Sequence, residues 1–288
     1  MGDSPREPTG PLLQGCGGKG QPAFCFLGRS GLPDGGGHPS EGKTAGDPAV
    51  KGLLAALGFL TSIPLPQAWR GDLAAAPPYF PLAGALLGAI ITGIYAMGKV
   101  WVGQGFAAAA AVCALTLLTR GVHLDGLADT FDALGSGKER EEMLQVLRDP
   151  HVGTFGVVAV SCVLILKFSL LLNLPQGGWR ALVLFPALGR MGLLVPLCFL
   201  PYLRGEGKVS PFLPPQRGAF LRGLLFTAVL GVLLYGFGGL LALILVLGFC
   251  YLLSSFFRRR LGGMTGDVLG ATVEMAEVVS LLCLKVGA

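Results

Sequence analysis

Charge is what this sequence has least of. Only 14% of its 288 residues are Asp, Glu, Lys or Arg, against 52% hydrophobic residues, and the mean hydropathy is +0.65. Soluble domains carry about 25% charged residues, so an ordinary aqueous globule is excluded and bilayer lipid is the expected solvent. No nucleic-acid partner is expected. Paired cysteines are missing too. Cys16 and Cys25 lie near the start, while Cys113, Cys162, Cys198, Cys250 and Cys283 are scattered singly through apolar stretches without a C-x-x-C pair. Zinc and dithiol chemistry are therefore set aside, and the thiols read as small hydrophobes. Also absent is an early charged region followed by an uninterrupted apolar core, so no cleavable signal peptide is expected.

The first 48 residues are different material, with 13 Gly and 7 Pro. They cannot bury enough apolar surface to offset the entropy of ordering, and a disordered extension over 1–48 is the expectation. Within it Gly37-His38-Pro39-Ser40-Glu41-Gly42-Lys43-Thr44 matches the phosphate-binding P-loop pattern. That pattern works only between a buried strand and a helix. Asp34-Gly35-Gly36 precedes it and Ala45-Gly46-Asp47-Pro48 follows, so a chance match is expected.

From residue 49 to 288 the chain reads as one membrane-embedded domain. Apolar runs of spanning length lie near 79–101, 104–122, 151–174, 180–202, 218–235 and 237–257, with a more polar seventh near 267–285. The segment 50–66, ending in Ile63-Pro64-Leu65-Pro66, reads as an interfacial or re-entrant helix. The fold class is thus all-α, a polytopic bundle of about six to eight membrane helices. Connections 123–150, 203–217 and 258–266 each carry three basic residues: Lys138, Arg140 and Arg148; Arg204, Lys208 and Arg217; Arg258, Arg259 and Arg260. The opposite connections are nearly bare, so the positive-inside rule places the basic loops, with all the charged chemistry, in the cytoplasm.

The stretch His123-Leu124-Asp125-Gly126-Leu127-Ala128-Asp129-Thr130-Phe131-Asp132 follows an apolar run directly. Carboxylates at a membrane boundary must be solvated, paired or bound to a cation. Steps of four and three residues keep Asp125, Asp129 and Asp132 on one helix face, which suits a hard divalent metal; a solvated helix end facing Arg148 or Arg120 is the alternative. His123 would point away from that face on a straight helix, so as a base it would have to precede the helix. Next comes Arg148-Asp149-Pro150-His151-Val152-Gly153-Thr154-Phe155-Gly156, a fixed turn in which Asp149 could simply form an Asx turn. A last cluster, Gly262-Gly263-Met264-Thr265-Gly266-Asp267, opens a helix that Thr265 could cap, with free N–H groups where a phosphate could sit. Glu274 and Glu277 on that helix could pair with Arg258 to Arg260. Gly84, Gly88 and Gly93 allow close helix packing within or between subunits, so a homo-oligomer is open.

These three blocks, in this order, closely resemble the cobalamin synthase family, also called adenosylcobinamide-GDP ribazoletransferase. Leu60-Thr61-x-Ile63-Pro64, Gly189-Arg190 and Tyr202-x-Arg204 add to the likeness, which covers about residues 50 to 288. One departure is Arg120-Gly121, where the family tends to have two glycines. The resemblance implies a Mg²⁺-requiring enzyme of the bacterial inner membrane. It would join adenosylcobinamide-GDP to alpha-ribazole, or its 5'-phosphate, and release GMP. On that reading Asp125, Asp129, Asp132 and Asp267 are the metal ligands. Asp132, His123 and Asp149 are the catalytic candidates, and Arg120, Arg148, Thr154, Arg190, Arg204, Thr265 and Gly266 hold substrate. Two rivals remain: a CDP-alcohol phosphotransferase, whose pattern asks for Ala-Arg where this chain has Ala128-Asp129, and an ion-coupled transporter, which would place acids at mid-membrane.

Overall fold

The computed structural model describes residues 47–64, 73–175, 177–205, 207, 209–213 and 217–286. Most of the Gly/Pro-rich extension, including the P-loop-like run, falls outside the described residues. Helix α1 (Pro48–Leu60) opens with Pro48 in its first turn, and the Asp47 carboxylate accepts from Ala49 N at 2.9 Å. Pro48 therefore starts a helix, because a first-turn N–H has no intrahelical partner to lose. α1 is 13 residues long, too short to cross a bilayer.

The remaining helices are α2 (Phe80–Trp101), α3 (Gln104–Leu118), α4 (Val122–Gly135), α5 (Arg140–Val146), α6 (Thr154–Leu172), α7 (Trp179–Phe199), α8 (Arg217–Tyr235), α9 (Phe237–Leu261) and α10 (Gly266–Val286). Among the described residues the single β feature is an isolated bridge between Tyr202 and Met264. Five helices are long and apolar enough to span: α2 with its leading turn, α6, α7, α8 and α9. Their hydropathy fixes them as spans, and their burial fixes their places. The apolar window of α7 is 83% buried inside the protein and that of α8 only 22%, so α7 is the central span and α8 faces lipid. α2 packs on α7 through Gly84 and Gly88, where any side chain would collide with the backbone at Pro186 and Leu182; Gly93 faces open space.

The apolar run expected over 104–122 is divided. α3 ends at Leu118 and α4 leaves it at 87°, so the two reach spanning length only if taken together as a broken span, which would make six. Arg120 (φ 55°) and Gly121 (φ 64°) supply the corner, both in the left-handed region. α4 alone is short and carries three carboxylates, and we read it as lying outside the five spans, across the end of α3. The end of α1 is fastened to the same corner. Ser62 N donates to Leu118 O at 2.6 Å, and the Arg120 guanidinium donates to Thr61 O at 3.2 Å.

α10 is the more polar seventh helix, and its acids do not face water. Glu274 and Glu277 are buried. The Lys167 ammonium of α6 donates to Glu274 Oε2 at 2.5 Å and also to Glu277, which pairs in turn with Arg190 of α7. Pairing with Arg258 to Arg260 is corrected by these contacts. Two cations and two anions in a low-dielectric interior must compensate one another, since an unpaired ion there would cost several kcal/mol.

Candidate active site

Asp125 and Asp267 line one cavity, and Asp129 feels the charge of both, because α4 and α10 cross backbone to backbone. A methyl group at Gly126 would stand 2.7 Å from Asp267 O, and one at Gly270 would stand 3.1 Å from His123 O. The absence of side chains at these two positions lets the first turn of α10 lie on the middle of α4. Thr265 closes that turn as a cap, its hydroxyl accepting from Val268 N at 3.3 Å and donating to Asp267 Oδ2 at 3.2 Å. The cap reading holds, and the same hydroxyl aims the Asp267 carboxylate.

Asp267 also takes the Arg204 guanidinium at 2.9 Å, and Arg204 reaches Leu147 O at 3.0 Å. Arg204 is delivered by the strand-like pairing of two loops. Met264 N donates to Pro201 O at 2.9 Å and Leu203 N to Met264 O at 3.0 Å. Four connections of the bundle thereby gather at one face: the α3–α4 corner, the α4–α6 segment, the loop after α7, and the α9–α10 turn. Arg140 adds a further tie, Nε to Leu261 O at 2.9 Å.

This gathering concentrates negative charge. Partial burial pushes the Asp129 carboxyl up to about 6, with Asp125, Asp267 and Asp132 adding repulsion and Arg204 opposing it. Carboxylates this crowded favour a cation. Beside them a cavity of about 540 Å³ opens between α1, α4, α7 and α10. Arg120, His123, Asp125, Arg204, Gly266 and Asp267 line it, together with Phe59, Thr61, Leu193, Tyr202 and Leu269.

Other candidates are placed elsewhere. Asp132, expected as a metal ligand or base, uses its two oxygens to accept from Gly153 N at 2.7 Å and Gly156 N at 2.8 Å, capping the start of α6. A carboxylate at a helix N-terminus already has its counter-charge. The spacing that put it on the acid face was right, but its partners are backbone groups 21 and 24 residues on. Gly153 and Gly156 are glycines for this reason, since a side chain at either would collide with the Asp132 carboxylate. Arg190, expected to clamp phosphate, is 1% exposed and tied to Glu277 and to Pro186 O.

Asp149 is exposed and takes the Asx-turn alternative. Its Oδ1 accepts from His151 N at 3.0 Å and meets His151 Nδ1 at 2.6 Å, contacts that hold its carboxyl below the usual range. Arg148 and Thr154 are exposed at the same turn, and neither lines the cavity. His123 lies inside α4, 5% exposed, and its Nδ1 has no hydrogen-bond partner among the described residues. Burial, reinforced by Arg190 and Lys167 and opposed by Glu277, pushes its pKa down to about 3. A neutral imidazole that weakly basic is a poor general base and a good neutral hydrogen-bonding group.

No three of the described His, Cys, Asp and Glu side chains converge closely enough to cage an ion. The donor set instead fits Mg²⁺, which takes one or two carboxylates and completes its shell with water and substrate phosphate. Asp125, Asp129 and Asp267 are the candidates to hold it. Lys167, Phe59 and Leu193 carried no signal in the sequence, since nothing in an apolar run marks which residue faces a neighbour or a cavity.

Comparison with known proteins bears on what such a site does. Residues 52–285 match the family described as cobalamin-5-phosphate synthase. The chain is 36% identical over 239 residues to a protein of Acetivibrio thermocellus named adenosylcobinamide-GDP ribazoletransferase, covering 81% of this chain and 96% of that one. Relatives of the same name from Roseiflexus sp. and Citrobacter koseri are each 38% identical, over 81% and 80% of this chain and 88% and 97% of theirs. No solved structure matches it.

Proposed function

Because the chain belongs to the cobalamin-5-phosphate synthase family, we propose that it carries out the reaction its relatives are named for. It transfers the adenosylcobinamide-phosphate part of adenosylcobinamide-GDP to alpha-ribazole, or its 5'-phosphate, and releases GMP. The observation that carries this reading is a cavity lined by Asp125, Asp267, Arg120 and Arg204, with Asp129 within electrostatic range of both acids. An acceptor hydroxyl forms a bond to the phosphorus on the cobinamide side, and the bond to GMP breaks. GMP leaves with the electron pair, and the hydroxyl proton passes to the acid cluster. Phosphoryl transfer needs positioning and charge neutralisation more than a covalent nucleophile.

Asp125, Asp129 and Asp267 would hold Mg²⁺, which when bound neutralises phosphate charge and polarises the phosphoryl group. Arg204, steered by Asp267 and Leu147 O, presents its remaining N–H donors toward the cavity for a phosphate oxygen. Arg120 stands across the rim, and its bond to Thr61 O fixes the guanidinium where a second phosphate oxygen would approach. The basic loops lie on the active-site face, which supports a cytoplasmic orientation in a bacterial inner membrane. Soluble activated substrates would then reach it directly.

The test is incubation of the detergent-purified protein with adenosylcobinamide-GDP, alpha-ribazole and Mg²⁺, following GMP release and the mass of the corrinoid product. Stoichiometric GMP and joined corrinoid are expected. Headgroup transfer from a CDP-alcohol without any corrinoid reaction would overturn the proposal.

A further inference from the structure

α6 begins at the turn that Asp132 caps and ends at Leu172, so the turn joining it to α7 lies at the other end of the bundle from the acid cluster. There it meets the last turns of α2, and a second cavity of about 160 Å³ opens between them. Thr92, Tyr95, Ala96 and Lys99 form its α2 wall, on one helix face, with Pro175 and Trp179 opposite. From Thr92 to Lys99 that wall runs about 10 Å along the helix axis, so the cavity is a groove. Trp101 and Trp179 are exposed at this end, which sets it at the headgroup level of a bilayer.

The groove is polar at one end only. The Thr92 hydroxyl donates to Gly88 O at 2.7 Å and the Tyr95 hydroxyl to Leu171 O at 3.2 Å, so neither proton is left for a ligand. Lys99 is exposed in the last turn of α2 and has no carboxylate partner among the described residues. The helix dipole there offsets only about half an elementary charge. A second cation stands beside it, the exposed Arg180 guanidinium, 5.9 Å from the centroid of the Trp179 ring. α2, α3, α6 and α7 contain no Asp or Glu at all, so the counter-charge must come from outside the chain.

We propose that this groove binds one anionic glycerophospholipid, its phosphate on Lys99 beside Trp179 and Arg180 and the start of an acyl chain along Ala96 and Thr92. An apolar groove with a cationic mouth fits an amphiphile with an anionic head, whereas free phosphate would leave the apolar length empty. A headgroup ending in an ammonium would bring a further cation to a corner without a carboxylate, so a net negative lipid is selected over a zwitterionic one. The volume falls below the roughly 300–1,000 Å³ of pockets for drug-sized ligands, which excludes a nucleotide or a corrinoid. The lipid lies in the leaflet opposite the acid cluster and takes no part in transfer. It bridges α2 to the α6–α7 turn, and a ligand that binds only the folded chain stabilises it.

The test titrates the full chain, delipidated in non-ionic detergent, with dioleoyl phosphatidylglycerol, dioleoyl phosphatidylcholine or inorganic phosphate, read by thermal melts and native mass spectrometry. Saturating phosphatidylglycerol is expected to raise Tm by about 5 °C and to remain as a single adduct, bound about tenfold more tightly than phosphatidylcholine. Lys99→Gln removes the cation at the mouth, and Ala96→Trp fills the groove from an exposed position while keeping both cations. Each should weaken phosphatidylglycerol binding about tenfold, and without lipid each should melt within about 2 °C of wild type. Should one variant fail to fold, the other decides. Replacing Arg258, Arg259 and Arg260 together by Gln, at the opposite end of α9, should leave the lipid effect intact. Equal binding of phosphatidylcholine, an equal Tm shift with inorganic phosphate, or adducts that both groove variants retain would each overturn the assignment. So would loss of the effect in the triple Arg variant alone.

Discussion

Asp129 and Asp132 stand three residues apart on one helix and have opposite energetics. Asp132 satisfies two N–H groups at the start of α6, one of them buried, and charge-assisted bonds of this kind are worth about 1.5–3 kcal/mol. Asp132→Ala should therefore lower the melting temperature, by about 4–8 °C for a loss near 2 kcal/mol in a chain of this length. Asp129 is held above its ordinary value, so its ionised form opposes folding. That penalty is absent below about pH 4 and grows as pH rises toward about 6. Asp129→Asn in Mg²⁺-free buffer should raise the melting temperature at pH 8 by ~2 °C, a small gain because the group is partly screened by solvent. It should give no gain at pH 4, and should abolish GMP release at either pH. The pair shows what the sequence could express. Steps of four and three placed both acids on one face, but which acid meets backbone and which meets its own kind depends on a helix further along the chain. Arg120 teaches the same lesson: its departure from a two-glycine pattern was visible, and the left-handed corner that explains the preference for glycine was not.

Whole elements are placed here by what is missing from them. Gly126 and Gly270 let α10 lie against α4, and a side chain at Gly126 meets rigid backbone at 2.7 Å and 2.9 Å, whereas one at Gly270 meets it at 3.1 Å or beyond. Gly126→Ala should push the Asp267 turn away and lower kcat by about a hundredfold, the usual scale for a misplacement of about 1 Å, while Gly270→Ala should cost much less. Steady-state kinetics on folded variants measure the difference. The tie between α6, α7 and α10 obeys another rule. Lys167→Met leaves Glu274 uncompensated in the interior and should destabilise by about 3–5 kcal/mol, whereas Lys167→Met with Glu274→Gln keeps the balance and should recover most of the loss. Denaturation of the four proteins of the cycle reads this out. Five spans were legible from hydropathy alone because spanning length and composition are local properties. The α3–α4 corner was not, since an 87° bend needs only two residues and leaves the apolar run unbroken in the sequence.

At the scale of the whole molecule, the loops that hold the chemistry are far apart in the chain and join at one face, through the Arg204–Asp267 pair, the Tyr202–Met264 bridge and the Arg140–Leu261 bond. The charge pattern of the connections foretold that they share a side, because insertion is governed by the sum of Lys and Arg in each loop. It could not foretell the cavity, whose walls come from residues that look like any other membrane apolar residues. The buried quartet of Lys167, Arg190, Glu274 and Glu277 sums to no net charge. A transmembrane voltage does about 2.3 kcal/mol of work per elementary charge per 100 mV, so on this cluster the work cancels. Turnover in proteoliposomes should accordingly be the same with and without an imposed potassium diffusion potential, as expected of an enzyme that uses the bilayer as a scaffold and draws no power from it.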